Sequence, residues 1–178
     1  MEAAHHMRPI LLVALFFSLV LPAQAFDLTL HDAPTSVYFS PHGGAQDALV
    51  ARIDQAQASI FVLAYSFTSE PVSTALARAQ ERGVHVEAIL DRSQRTAKGG
   101  QGKALAASGA TVYIDSRHAI AHNKVMVIDM RTVVMGSFNF TMAAEEHNAE
   151  NLLTLDSPEL ARMYYTEWEK HRGHAEGW

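Results

Sequence analysis

The first half of the chain alternates between helical and strand-like hydrophobic patterns. Apolar positions recur at helical spacing over residues 44–58, and the apolar run 60–64 then predicts a buried strand. Pro71 lies just inside a second predicted helix, which Thr68 or Ser69 can cap and Gly83 ends. A second strand is expected over residues 84–90. This half therefore predicts two helix–strand units.

The second half adds strands and a final helix. A polar stretch over residues 91–103 carries four basic residues and predicts an exposed loop, followed by a short helix and a strand at 111–114. Apolar runs at 122–129 and 132–138 have hairpin spacing, although no Asn-Gly pair fixes the turn type. A strand at 151–155 and a helix capped by Ser157 follow. This order predicts an α/β fold, a single-domain mixed β-sheet flanked by helices on both faces.

The N-terminal segment has a pattern of its own. Arg8 precedes an apolar run over residues 10–21, and Ala23-Gln24-Ala25 follows. This layout is typical of a secretory signal peptide cleaved after Ala25. A membrane anchor is the alternative, but the run is shorter than the ~18–20 apolar residues that span a bilayer. We expect a signal at residues 1–25, a domain at 26–178 and a periplasmic or secreted protein.

Composition narrows the classes of function. With 178 residues and 48% hydrophobic composition, the chain can bury one core. Its formal net charge is −5, which does not by itself indicate nucleic-acid binding. It has no cysteine, which excludes disulfides, thiolate catalysis and cysteine-ligated zinc.

Two pairs of polar residues on the predicted hairpin suggest chemistry. Side chains two residues apart share a strand face, so His122 and Lys124 project together, about 7 Å apart. Ser137 and Asn139 do the same on the partner strand or at its end. Antiparallel pairing can place all four around one phosphate, with the imidazole as nucleophile. Asp129 has the opposite parity, and a structural turn role is at least as well supported as a catalytic one.

These residues reproduce a known signature. His122-x-Lys124, four residues, Asp129, six residues and Gly136-Ser137-x-Asn139 match the HKD motif of the phospholipase D superfamily at six positions over 18 residues. Segments 64–68, 82–84, 136–141 and 150–151 also resemble the bacterial Nuc-type endonuclease branch. The resemblance covers essentially all of residues 26–178 and implies a phospholipase D-like fold.

The resemblance also implies a mechanism. Its catalytic residues would be His122, Lys124, Asp129, Asn139 and Glu150, with Glu150 orienting the imidazole. Because the chain has one motif where other family members have two, it implies a homodimer with a shared active site. Lysine and asparagine would stabilise the phosphate charge, so neither a metal nor another cofactor is required.

Further substrate contacts are expected around this motif. Lys124, Ser137 and Asn139 are candidate phosphate ligands, and Arg92 and His118 are candidate contacts outside it. The basic loop 91–103 either contacts a nucleic-acid backbone or is only a solvated connection. Within residues 26–178, seven histidines outside the motif show no metal-ligand spacing and are interpreted as surface or packing residues (His31, His42, His85, His118, His147, His171 and His174).

Three functions are compatible with these observations. The first is a metal-independent, non-specific endonuclease that acts through a phosphohistidine, with DNA favoured. The second is a phospholipase D or phosphatidyltransferase, although no amphipathic membrane segment is evident outside the signal. The third is a non-catalytic nucleic-acid-binding module, which the intact set of polar residues disfavours.

Overall fold

A computed structural model describes residues 26–178, and the predicted signal peptide lies outside these residues. The strands are β1 Thr35–Ser40, β2 Ser59–Ala64, β3 His85–Asp91, β4 Thr111–Asp115, β5 Lys124–Ile128, β6 Thr132–Gly136, β7 Glu150–Asp156 and β8 Glu176–Gly177. The helices are α1 Ala45–Gln55, α2 Glu70–Glu81, α3 Gly102–Ala107, α4 Met142–Glu146 and α5 Pro158–Arg172. A 3-10 helix, Arg92–Arg95, follows β3.

The strands form one mixed sheet in the order β1-β7-β6-β5-β2-β3-β4-β8. Strands β2, β3 and β4 are parallel, whereas every other neighbouring pair is antiparallel. The central strands are apolar along almost their whole length, as expected of strands covered on both faces. The predicted fold class, a mixed sheet flanked by helices, is confirmed.

Strand β2 shows how the sheet contributes to two cores. Ile60 and Val62 pack under helices α1, α2 and α3, whereas Phe61 and Leu63 face α5 on the other side. Trp168 of α5 packs against Phe61 at a ring-centroid distance of 5.0 Å and donates its indole N–H to the Val62 carbonyl at 3.1 Å. The sheet is therefore covered on both of its faces by helices.

The helix starts agree with the sequence prediction. Ser69 Oγ accepts a hydrogen bond from the Val72 amide and caps α2, and Pro71 lies in the first turn. Ser157 caps α5 through the Leu160 amide in the same way. These caps fix where both helices begin.

The sequence did not predict β1 and α4, and it extended both hairpin strands too far. β1 is an edge strand paired with β7, and its exposed Val37 and Phe39 lie on the face that α5 covers elsewhere. The predicted polar loop 91–103 contains the 3-10 helix and the start of α3. Among residues 26–178, no helix is both long and apolar enough to cross a bilayer.

Candidate active site

The four polar residues of the motif meet at the edge of the sheet where β2 ends. An open cleft of about 450 Å³ lies there, between the start of β5, the end of β6 and the start of β7. Its lining consists of His122, Lys124, Gly136, Ser137, Asn139 and Glu150. The structure thus brings together five of the predicted site residues.

His122 lies just before β5 rather than on it, because the strand begins at Lys124. Its ring is exposed and packs against the Tyr65 ring at a centroid distance of 4.5 Å. The Tyr65 amide donates to the Asn123 carbonyl at 2.8 Å, which continues the β2–β5 pairing beyond the regular strand. This extension holds the imidazole at the mouth of the cleft.

Asp91, at the end of β3, anchors the segment that leads to His122. Its carboxylate accepts hydrogen bonds from the Ala121 amide at 2.8 Å and from the Ser93 amide at 2.9 Å. Burial raises the pKa of Asp91, but the hydrogen bonds from Ser93 and Ala121 and the charge of Arg92 outweigh it and leave that pKa below its usual value. The sequence prediction missed the roles of Tyr65 and Asp91. Tyr65 directly follows the apolar strand β2, and Asp91 is the last residue of the apolar strand β3.

Lys124 is the buried cation of the cleft, with only 7% of its surface exposed. Its ammonium donates to the His122 carbonyl at 2.9 Å and lies 5.0 Å from the centroid of the Tyr65 ring. Burial lowers the pKa of Lys124, and the carboxylate of Glu150 opposes that shift. The ammonium is therefore held in the cleft by two separate contacts, to the His122 carbonyl and to the Tyr65 ring.

Ser137 and Asn139 alternate with two buried phenylalanines. Phe138 and Phe140 are each 1% exposed and anchor the segment in the core. Ser137 Oγ accepts from the Asn151 amide at 3.1 Å. Asn139 Oδ1 is buried and has no hydrogen-bond partner among the described residues, so the group of this side chain that could donate to a phosphate oxygen in the cleft is its Nδ2 amide.

Gly136 allows β6 and β7 to approach closely at the cleft. A Cβ atom built on Gly136 would lie 2.2 Å from the backbone oxygen of Asn151, well inside contact distance. Any side chain here would push the two strands apart. The glycine of the motif is therefore required by the backbone rather than by the chemistry.

Glu150 enters the cleft at the start of β7. Its carboxylate accepts a hydrogen bond from Asn148 Nδ2 at 3.1 Å, and its negative charge acts on Lys124. Within residues 26–178, no hydrogen bond joins Glu150 to the ring of His122. The structure supports an electrostatic role toward Lys124, and an orienting role toward His122 stays a prediction.

The structure does not bring Asp129 into the cleft, which corrects its inclusion among the candidate catalytic residues. Asp129 follows the far end of β5, about 16 Å along the strand from Lys124. Its carboxylate accepts from the amides of Gln57, Ala58 and Ser59 at 2.7–3.2 Å. Asp129 and Met130 both have positive φ, 52° and 51°, and are the central residues of the hairpin turn that the Arg131 amide closes on the Ile128 carbonyl at 3.0 Å.

Asp129→Ala is therefore expected to destabilise the protein without affecting the chemistry. Loss of one acceptor for three amides should lower the free energy of unfolding by about 2–3 kcal/mol. Asp129→Asn, which tolerates the left-handed backbone and keeps one oxygen, should lose less. Urea unfolding checks both values. A fully folded Asp129→Ala protein with abolished turnover would contradict the structural assignment.

Arg92 and His118 lie outside the cleft lining. Arg92 is exposed on the 3-10 helix after β3. His118 instead contacts Asp115, which also binds His171 and His174. The sequence interpreted these three histidines as surface or packing residues, and it did not predict that the fold brings His171 and His174 to Asp115 and His118, more than fifty residues away in the sequence.

The cleft contains the chemical groups that are needed for attack on a phosphodiester. An exposed imidazole can form a bond to phosphorus, while an adjacent ammonium and a carboxamide stabilise the equatorial oxygens. Fold and site together define a phosphodiesterase. Residues 49–172 match the family described as "Cardiolipin synthase, PLD-like domain", and the chain belongs to the phospholipase D superfamily, as its motif predicted.

Known relatives agree with this membership. The chain is 40% identical over 139 residues to a protein named phospholipase D from Rickettsia conorii, covering 78% of this chain and 70% of that one. It is 32% identical over 133 residues to the mitochondrial cardiolipin hydrolase of Danio rerio, covering 73% and 59%. The crystal structure of Nuc, a phospholipase D family member from Salmonella typhimurium, superposes with a TM-score of 0.79 at 35% identity, covering 83% of this chain and 99% of Nuc.

Proposed function

We propose that this phosphodiesterase is a metal-independent, non-specific endonuclease that forms a phosphohistidine on His122, with DNA as the favoured substrate. The observation that carries the proposal is the exposed His122 ring at the mouth of an open cleft that is also lined by the buried Lys124, whose ammonium donates to the His122 backbone carbonyl. An extended phosphodiester backbone can enter such a cleft sideways. The likeness to Nuc over nearly the whole of that structure supports the same choice.

The reaction proceeds in two displacements. A neutral ring nitrogen of His122 attacks phosphorus, the P–N bond forms and the bond to the leaving oxygen breaks, with an acid protonating that oxygen. Water then attacks the phosphohistidine, gives up a proton to the group that acted as acid, and releases His122. Lys124 and Asn139 stabilise the charge on the non-bridging oxygens in both steps.

The acid in this scheme comes from a second copy of the chain. One chain brings a single histidine to the cleft lining, so a twofold dimer would supply the second imidazole. Exposed apolar side chains support a contact here. Phe39 is 66% exposed and pairs in register with Asn151, which lines a neighbouring pocket together with His122. Ile120 is 57% exposed and lies two residues before His122. Burial of these side chains would favour association.

Export is proposed on the N-terminal pattern alone. Residues 8–25 have the charged start, apolar run and small-residue cleavage pattern of a secretory signal. The protein would then act in the periplasm or outside the cell. Intact-mass measurement of the protein from the periplasmic fraction should give a chain beginning at Phe26, and a chain that retains residues 1–25 would contradict cleavage.

A lipid phosphodiester is the second candidate substrate. The specific observation in its favour is that relatives of 40% and 32% identity are named phospholipase D and mitochondrial cardiolipin hydrolase. The same phosphohistidine chemistry serves both substrate classes. Whether the protein prefers a nucleic acid or a lipid therefore depends on how the rest of the substrate binds outside the cleft.

A side-by-side assay distinguishes these functions. The purified protein is offered single-stranded DNA, double-stranded DNA, RNA, phosphatidylcholine and cardiolipin in the presence of EDTA, while circular dichroism confirms that it stays folded. We expect cleavage of nucleic acid and no lipid turnover. Lipid hydrolysis alone would establish the second candidate, and nucleic-acid binding by the pure dimer without turnover of any substrate would establish a binding module.

Glu150→Gln is expected to shift the pH dependence of phosphate binding. Phosphate needs the protonated Lys124, so affinity should fall as pH rises through the pKa of that lysine. Since the Glu150 carboxylate raises this pKa, its removal should move the alkaline loss of affinity to lower pH. Inhibition constants for inorganic phosphate across pH, with exposed Glu81→Gln as control, check this. An unchanged profile would contradict the coupling.

A further inference from the structure

Four side chains of metal-ligand type meet outside the active-site cleft. Asp115 ends β4, His118 lies three residues later, His171 is in the last turn of α5, and His174 follows that helix. One potential ligand atom from each of these residues lies within 4.8 Å of the others. Pairing of β8 with β4, through Ile114 and Glu176, helps to bring the two segments together.

The three imidazoles converge on one atom, Oδ2 of Asp115. His171 Nδ1 and His118 Nδ1 lie 2.8 Å from it, and His174 Nε2 lies 3.2 Å from it. Asp115 is fully buried, and its single oxygen offers only about two lone pairs to three ring nitrogens. Hydrogen bonding to this oxygen therefore cannot satisfy all three rings with good geometry.

The separations suit a tetrahedral cation site. Zinc bonds to histidine nitrogen and carboxylate oxygen are close to 2.0–2.2 Å, which places tetrahedral ligands roughly 3.3 Å apart. The nitrogen–oxygen distances of 2.8–3.2 Å are already close to that spacing. All four ligand atoms lie within 4.8 Å of one another, and an ion would enter between them as the rings move outward from Asp115 Oδ2.

Groups around the four residues hold them in place. The other oxygen of Asp115, Oδ1, accepts from the amides of Arg117 and His118 at 3.0 and 3.3 Å, which directs Oδ2 toward the rings. Glu167 Oε1 lies 3.8 Å from the far nitrogen of His171, the type of carboxylate that commonly supports a metal-bound histidine. Although burial raises the pKa of Asp115, hydrogen bonds from the three imidazoles and the His118 amide hold it well below its usual range.

We propose that Asp115, His118, His171 and His174 bind one zinc ion in a closed, structural site. Three neutral imidazoles and one carboxylate form a nitrogen-rich donor set of the kind that zinc takes, and four protein ligands complete a tetrahedron. The absence of cysteine from the chain does not affect a site of this composition.

The zinc would brace the approach to the active site. It would join the end of α5 to the segment between β4 and His122, and the same segment is bound by Asp91 through the Ala121 amide. The ion takes no part in the phosphodiester chemistry. The proposal is therefore independent of which substrate the cleft accepts.

Metal content is the direct test. Untagged full-length protein, loaded with zinc and exhaustively dialysed, should retain one zinc per chain by inductively coupled plasma mass spectrometry. The double variant His171→Ala/His174→Ala should retain less than a tenth of that, whereas His85→Ala and the cleft variant His122→Ala should retain it fully. Cobalt substitution should give the intense visible bands of a tetrahedral centre in wild type and not in the double variant.

A conservative variant keeps the test decisive if the double variant fails to fold. His174→Gln retains a polar side chain at a position that is 17% exposed, and its zinc affinity, measured by competition with a chromophoric chelator, should fall at least tenfold. Zinc should also raise the melting temperature of wild type. Wild-type protein that binds no zinc in calorimetry, or His174→Gln protein with wild-type affinity, would overturn the proposal.

Discussion

Replacing His122 with alanine is expected to lower kcat by about 10⁴-fold or more, because the variant has no nucleophile to form the covalent intermediate. The ring is exposed and packs against the Tyr65 ring at a centroid distance of 4.5 Å. The free energy of unfolding should therefore change by less than about 1 kcal/mol. Single-turnover kinetics and urea unfolding on the same preparations measure the two effects.

His85 provides the matched control for that experiment. It is an exposed histidine at the start of β3, whereas the cleft lies at the edge of the sheet where the parallel strands end. His85→Ala should retain full turnover. If His122→Ala kept activity within tenfold of wild type, a different residue would have to be the nucleophile.

The second large effect is expected at Lys124. Lys124→Met keeps the length of the side chain but removes the charge beside the phosphate, and kcat/KM should fall by about 10³-fold. Lys124→Arg should remain impaired, because a planar guanidinium does not fit the 7% exposed position between the His122 carbonyl and the Tyr65 ring.

Arg131→Met is the control for loss of a positive charge. Arg131 is exposed at the hairpin turn, at the far end of β5 from Lys124. Its replacement should leave kcat/KM within about twofold of wild type, as expected for surface charges remote from a site. Equal losses in Lys124→Met and Arg131→Met would mean that net charge, rather than a fixed ammonium, governs catalysis.

Much of the cleft was predictable because it depends on local geometry. Two-residue spacing placed His122 with Lys124, and Ser137 with Asn139, and hairpin pairing brought the two segments together. The same parity separated Asp129 from the others, and the structure places it at the opposite end of β5. Apolar patterns bounded by Gly, Pro and Ser likewise predicted the central strands and the three long helices α1, α2 and α5.

The features that were missed depend on contacts distant in sequence. Strand β1 is short and lies at the edge of the sheet, where its Val37 and Phe39 are exposed, and its position is defined by pairing with β7. The Asp115 cluster joins the end of β4 to the end of α5, fifty-six residues away for His171. Histidine spacing along the chain contains no sign of that convergence, because the sheet and α5 create it.

Detection of the covalent intermediate tests the central claim most directly. The protein is mixed with a nucleic acid carrying a radiolabelled scissile phosphate and quenched in alkali, which preserves phosphohistidine, and the labelled peptide is then identified by mass spectrometry. The account predicts an acid-labile adduct on His122 that is absent from His122→Ala. Rapid product formation with no label on the protein, or with label on another residue, would contradict it.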